Sequence, residues 1–289
     1  MSDETNSQGR GDMSTKSRLA AIQITTGPDV EKNLAAVEVQ IKQAAQQGAK
    51  IVALPEVFAC YDSQKYLALG KQEMSVLGNL RSRMSGWAKE NQVYLIGGTI
   101  PVLEPTAGKV YPRCYFYNDQ GEELGHYDKI HLFDVDIDDA QGRYRESDMF
   151  LSGDDIKVFE TPYGKVGLTI CYDLRFPYVF DRLRKAGADI ISVVAAFTAT
   201  TGKAHWQPLL QARAIEQQCY VLASNQWGQH DEKRRTFGHS MVISPWGKVL
   251  DQLPEGQGVA SAEIDLAEIE RIRREMPIAN HQRSLKDDD

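Results

Sequence analysis

The chain has 289 residues, 42% of them hydrophobic and 25% charged, the balance of a globular protein able to bury a large core. A net charge of −7 with no basic block argues against a nucleic-acid surface, and no stretch approaches the roughly 20 consecutive apolar residues of a membrane span. Four scattered cysteines, Cys60, Cys114, Cys171 and Cys219, form no CxxC pair; this argues against a zinc site or a disulfide framework and fits a reducing cytoplasm.

The polar start, MSDETNSQGRGDMSTKSR, lacks an apolar h-region, so residues 1–17 read as a disordered tail, not a secretory signal, with Met13 as an alternative start. SRLAAIQI is a first strand. A helix follows over DVEKNLAAVEVQIKQAAQQ, with Val30, Leu34, Val37 and Ile41 on one face and Asp29 as its N-cap. AKIVALPE, a continuous apolar run stopped by proline, predicts a strand buried on both faces. A second helix is expected over 76–90, then a strand over VYLIGGTI. RCYFYNDQGEELGHYDKI alternates on either side of an Asp-Gln-Gly turn and predicts a hairpin. Residues 131–155 read as a long polar loop of the kind that often carries function.

A strand over 156–160 and a TPYG turn lead into KVGLTICYDLRFP. Val166, Leu168 and Ile170 alternate as in a strand, and Pro177 suits the first turn of a helix reaching about Lys185. Cys171 therefore falls on a strand-to-helix turn, where a helix dipole can favour thiolate; a packed cysteine fits the same pattern. The remaining elements are the strand ADIISVVAA, a helix over HWQPLLQARAIEQQ, the strand CYVLAS, a hairpin in GHSMVISPWGKVL, the strand GVASAEI and a final helix, DLAEIERIRREM. Residues 281–289 read as a solvated tail. KQAAQQGAKIVALPE and DRLRKAGADIISVVAA echo each other as helix, glycine and buried strand, which predicts alternating α/β construction. No linker divides residues 18–280, which read as one domain.

Several polar residues invite a chemical reading beside a bland one. Glu56 ends a buried strand, where desolvation suits a carboxylate to moving protons, though a loop residue capping the next element would look the same. Lys129 ends a hairpin strand and either reaches solvent or serves as a fixed cation for developing negative charge. Glu146 sits in the long loop and could orient a lysine or a water; Asp134, Asp136, Asp138 and Asp139 beside it read as solvated. His131, His205 and His239 are candidate bases for a Cys-His pair, while His126, His230 and His281 lie in exposed-looking contexts. Arg213 and Glu216, at i, i+3 spacing, read as an internal brace. GxSxG, a P-loop and GxGxxG are all absent.

Glu in LPE, Lys in YDKIHLFD, Glu in RES and Cys in GLTICYDLRFP occur in that order and, with GHSMVISPWG, resemble the nitrilase superfamily of carbon–nitrogen hydrolases over residues 18–280. The resemblance implies a four-layer α-β-β-α sandwich and catalysis by Glu56, Lys129 and Cys171 with a supporting Glu146. It also implies a homodimer; the chemistry of these four residues would have Lys129 and the Tyr172 backbone amide hold the oxyanion, with no metal or other cofactor required. HLFDVDI, TGKAHWQPLLQARAIEQQCYV and HDEKRRTFGHSMVISPWG are most similar to the Nit branch, which implies an amidase acting on a small carboxylate-bearing amide: deaminated glutathione first, α-ketoglutaramate or an N-carbamoyl amino acid as rivals. Gln217 and Gln218 depart from the pattern after ARAIE, as does VFACYDSQKY near the expected substrate entrance. A silent scaffold of the same fold would need none of the four catalytic-type residues.

Recognition of an anionic tail calls for cations away from Cys171. Lys233, Arg234 and Arg235 in one loop, with Lys203 and His205, are the candidates; any one of them taken singly reads as solvated, and the loop as a whole as a substrate contact. Arg175 could grip a carboxylate bidentately, or pair structurally with Asp173 or another core carboxylate, the reading favoured here.

Overall fold

The apolar strands of this sequence sort into two sheets laid face to face. The computed structural model describes residues 15–75 and 78–283. The first half of the chain runs β1 (Lys16–Gln23), α1 (Val30–Gln46), β2 (Ile51–Ala53), α2 (Tyr66–Gln72), α3 (Asn79–Asn91), β3 (Tyr94–Ile96), β4 (Ile100–Glu104), β5 (Lys109–Tyr117) and β6 (Glu123–Asp128). A small ribbon of β7 (Asp134–Asp136) and β8 (Arg143–Arg145) follows, then β9 (Val158–Thr161), β10 (Gly164–Ile170), α4 (Pro177–Lys185), β11 (Ile190–Ala195), α5 (Ala199–Gln217) and β12 (Tyr220–Asn225). A second ribbon, β13 (Trp227–Gln229) and β14 (Arg235–Phe237), precedes β15 (Ser240–Ile243), β16 (Val249–Leu253), β17 (Gly258–Asp265), α6 (Leu266–Glu275) and the short α7 (Ile278–His281).

One sheet has seven strands in the order β17-β1-β2-β3-β5-β4, with β6 also on β5; the other has six, in the order β16-β15-β12-β11-β10-β9. Leu19 and Ala21 of β1 face the second sheet, while Ala20 and Ile22 face Leu34, Val37 and Ile41 of α1. Val179, Phe180 and Leu183 of α4 with Trp206, Leu210 and Ala214 of α5 cover the outer face of the second sheet. The result is the expected α-β-β-α sandwich, in which central strands are buried on both faces and therefore read as unbroken apolar runs. Among the described residues no helix is long and apolar enough to cross a membrane.

Locally coded features appear where expected. Asp29 caps α1 by accepting from the Lys32 amide (3.2 Å), and Pro177 opens α4. The echo in the sequence maps onto two equivalent units: β1-α1-β2 and β10-α4-β11 each join parallel neighbours.

Other boundaries move. Lys16 and Ser17 belong to β1, paired with Asp265 and Ile264, so the expected tail of 1–17 overlaps a strand; residues 1–14, Met13 included, lie outside the described residues. Residues 76 and 77 of the expected second helix also lie outside them, as do 284–289 of the C-terminal tail, whose first residue, His281, ends α7. VYLIGGTI breaks at Gly97–Gly98 into β3 and β4. Gly98 has φ +53°, and a Cβ there would strike the Pro55 carbonyl, next to Glu56. Helix α5 starts at Ala199, not near His205, because Thr198 accepts from the Thr201 amide as its cap; the helix continues through Pro208, with Trp206, Leu210 and Ala214 holding it against the sheet. Residues 131–155 are not structureless. Asp139 accepts from the amides of Gln141 (3.0 Å) and Gly142 (2.8 Å) and from the Tyr144 hydroxyl (2.8 Å), closing the turn between β7 and β8. Asp134 and Asp136 likewise hold the Ser147 amide and the Arg145 guanidinium.

Candidate active site

The carboxyl ends of parallel strands from both sheets converge, the usual place for chemistry in α/β construction. Glu56 follows β2 on a sharp turn, with Val57 at φ +52° and its amide donating to Thr99 Oγ1 at 2.8 Å. Gln226, just past β12, donates from Nε2 to the Glu56 carbonyl (2.9 Å) and so ties the turn to the opposite sheet. The Glu56 carboxylate accepts from the Ala196 amide at the end of β11 (2.9 Å) and from Lys129 Nζ (2.9 Å). Lys129 directly follows β6 and is fully buried. Its ammonium also donates to both oxygens of Glu146 (2.9 and 2.8 Å). Glu146 opens a short 3₁₀ turn and is fixed further by the Phe133 amide (2.8 Å).

Cys171 leaves β10 with φ +45°, a left-handed conformation that a non-glycine residue adopts only when its surroundings impose it. Those surroundings are explicit. The buried Asp173 carboxylate accepts from the Ile170 amide (2.9 Å), the Tyr127 hydroxyl (2.7 Å) and the His131 amide (3.0 Å), and contacts His131 Nδ1 at 2.7 Å. Arg213 grips the Leu174 carbonyl through Nε (3.2 Å) and a terminal nitrogen (2.9 Å) while pairing with Glu216 at 2.9 Å, so the expected brace also anchors the cysteine turn.

Burial would strip the proton from Lys129, but Glu146 and Glu56 outweigh it and hold the ammonium's pKa well above its ordinary value. Burial raises Glu146, opposed by Lys129 and reinforced by the like charge of Glu56. Burial and then Glu56 push the Cys171 thiol well up, against the pull of Lys129. A preformed thiolate, which a helix start would favour, is therefore disfavoured: two carboxylates already exceed one ammonium. The geometry suits a neutral thiol that gives up its proton during attack.

Glu56, Glu146 and Cys171 line a cavity of about 330 Å³. Val57, Ala59, Cys60, Tyr61 and Tyr66 from the unfamiliar stretch after LPE form part of its wall, with Phe133, Tyr144 and Phe150. Of the candidate cations, Arg234 lines it; Arg175, Lys203, His205, Lys233 and Arg235 do not. Arg175 contacts His205 Nδ1 (3.3 Å) and lies over the rings of Tyr172 and Phe197, and its expected partner Asp173 is engaged elsewhere. His131, His205 and His239 are also outside the lining. His230, read as exposed, is buried: its ring nitrogens contact the Thr26 carbonyl (2.8 Å) and Thr236 Oγ1 (2.7 Å), and it stacks on Tyr61. Gln226 carries no signal in the sequence; Asp173 stands out only as an acidic residue two places after Cys171 in an otherwise apolar stretch, and Tyr61 and Tyr66 only as part of the segment after LPE.

The Carbon-nitrogen hydrolase family matches residues 18–274. The chain is 41% identical to a deaminated glutathione amidase of Yersinia enterocolitica, covering 92% of each chain. It is 40% identical to omega-amidase NIT2 of Xenopus tropicalis, covering 93% of this chain and 95% of the relative. Saccharomyces cerevisiae Nit3, a member of branch 10 of the nitrilase superfamily, superposes with a TM-score of 0.85 at 29% identity, over 96% of this chain and 100% of that one.

Proposed function

Because the chain belongs to the carbon–nitrogen hydrolase family and is an amidase, we propose that it hydrolyses a small carboxylate-bearing amide with Cys171 as nucleophile, deaminated glutathione being the first candidate substrate. The observation that carries this reading is the Lys129 ammonium bridging Glu56 and Glu146 beside a left-handed Cys171 at the cavity wall. The thiol sulfur attacks the amide carbon while Glu56 takes its proton. Lys129 and the Tyr172 amide hold the resulting oxyanion. Glu56 then delivers the proton to the nitrogen, the C–N bond breaks and the amine leaves, with a thioester remaining on Cys171. Water adds to the thioester as Glu56 again accepts a proton, the C–S bond breaks, and acid and thiol are released. Glu146 keeps Lys129 charged and in place.

α-Ketoglutaramate is the second candidate, supported by the nearly equal identity to the omega-amidase. We also take residues 18–280 as one catalytic unit acting as a cytoplasmic homodimer. The exposed Trp246 and Ile215 offer apolar surface for a second copy, and four free cysteines suit a reducing compartment. Light scattering tests the dimer. Amine release from deaminated glutathione, α-ketoglutaramate and an N-carbamoyl amino acid tests the activity. Turnover of none of them, with Cys171 inert to iodoacetamide, would sink the reading.

A further inference from the structure

A substrate carboxylate needs a cation, and those around this cavity are mostly committed. Lys129 serves two carboxylates. Arg145 lines the wall, but its guanidinium donates to the carbonyls of Val135 (2.9 Å) and Tyr144 (2.6 Å) and to both oxygens of Asp136 (3.0 and 2.9 Å). Arg234 differs. Its Nε donates to Gln141 Oε1 at 2.8 Å, with an Asp231 carboxylate oxygen at 3.8 Å. Its two terminal nitrogens make no hydrogen bond to any described residue.

The setting holds this cation in place. Its guanidinium lies 5.8 Å from the centre of the Tyr61 ring, and Tyr61 stacks at 4.0 Å on the buried His230. Gln141, from the turn of the first ribbon, fixes the other side, so both ribbons meet at Arg234. The hydroxyls of Tyr61 and Tyr66, also on the cavity wall, have no hydrogen-bond partner among the described residues. Arg234, with Tyr61, also borders a second, more open depression lined by Pro28, Gln64 and Asp231, which puts it where the cavity meets the surface. Two carboxylates against one ammonium make the catalytic end negative, so an anionic substrate is repelled there and drawn toward Arg234.

We propose that Arg234 is the specificity-determining residue: its terminal nitrogens take a substrate carboxylate as a pair of charge-assisted hydrogen bonds, with Tyr61 and Tyr66 as additional donors. Lys233 and Arg235, its exposed neighbours, contribute nothing to binding. The proposal rests on the amidase reading for its substrate class. The carboxylate could belong to the acyl part of the substrate or to the departing peptide, and the test separates these.

Steady-state kinetics of the wild type, Arg234→Met, Arg234→Lys and the Lys233→Met/Arg235→Met pair would be compared on α-ketoglutaramate, its methyl ester and deaminated glutathione. Arg234→Met should raise KM for an anionic substrate about 10- to 100-fold, the scale of a lost hydrogen-bonded charge contact, with kcat little changed. The ester should be unaffected, Arg234→Lys should recover part of the loss, and the Lys233/Arg235 pair should behave as wild type. A loss on both acids puts the carboxylate in the acyl part; a loss on deaminated glutathione alone puts it in the peptide. Equal losses on acid and ester, or a KM rise only in the Lys233/Arg235 pair, overturn the proposal. If the wild type releases amine from none of these substrates, the amidase reading fails by itself. Arg234 is then judged by calorimetry of deaminated glutathione, which carries both carboxylates, with Cys171→Ser: a Kd at least about 10-fold weaker with Arg234→Met added supports it, and an unchanged Kd rejects it.

Discussion

The floor and the mouth of the cavity are built on different principles. At the floor, Glu56, Lys129 and Cys171 sit at strand ends, and each of them or its backbone is fixed: Glu56 by the Ala196 amide and Gln226, Lys129 by Glu56 and Glu146, and the cysteine turn by Asp173 and the Arg213–Leu174 contact. At the mouth, Arg234 and Gln141 sit on two short ribbons whose charged neighbours Asp231, Glu232 and Lys233 are exposed. On the proposed mechanism the floor must place reacting atoms to within a fraction of an ångström, which packed sheets can do. In the role proposed for Arg234, the mouth has only to choose among substrates, which loops on a rigid frame can do and can change. On the proposed function, one molecule thus separates a demanding chemistry from an adjustable selectivity.

The largest test of that division is Cys171→Ser. We expect it to fold like the wild type and to lose at least about 10³-fold in kcat, since a serine hydroxyl beside a carboxylate base is a poor nucleophile. A Tm unchanged with no detectable amine release is the expected pair of results, and activity near wild type would move the nucleophile elsewhere. Lys129→Met should cost about 10²–10³-fold in kcat, the usual loss for one oxyanion donor. It also leaves Glu56 and Glu146 facing each other without their shared cation, so pH–rate profiles should shift as well. Glu56→Gln should cost about 10²–10⁴-fold, the worth of a placed acid–base group. Mass spectrometry should then detect any thioester that forms faster than it hydrolyses.

A smaller effect distinguishes the mouth by its response to acid. Burial lowers His230 from 6.5 to about 4 in the folded chain. An unfolded chain therefore binds more protons between those values, so this contribution is complete above about pH 6.5 and lost as pH falls toward 4, amounting to about 3 kcal/mol. Urea midpoints measured from pH 7 to 4 should fall more steeply for the wild type than for His230→Gln, and parallel slopes would refute the assignment. Smallest of all is chelation: EDTA should leave turnover unchanged, because every charge the mechanism needs is supplied by side chains.

How much of this was legible beforehand follows from the range of the interactions. The Asp29 cap, the Pro177 helix start, the hairpin around Asp119–Gly121 and the buried strands β2 and β11 are coded by neighbours a few residues apart, and each appears close to where the sequence puts it. The order Glu, Lys, Glu, Cys was equally readable, because short motifs carry it. The sequence alone thus determined the element types, the family resemblance and the chemical identity of the candidate site. Polar residues misled where their partners were distant or their turns unrecognised. Asp139 looks solvated until its Asx turn is seen, and His230 looks exposed until Thr26 closes over it from 204 positions away. Only the tertiary structure decided that Lys129 would stand between Glu56 and Glu146, that Asp173 would serve the cysteine turn and not Arg175, and that one arginine of three would reach the cavity. The physical reason is that these depend on which sheet faces which and how loops close over strand ends, and no local preference along the chain encodes either.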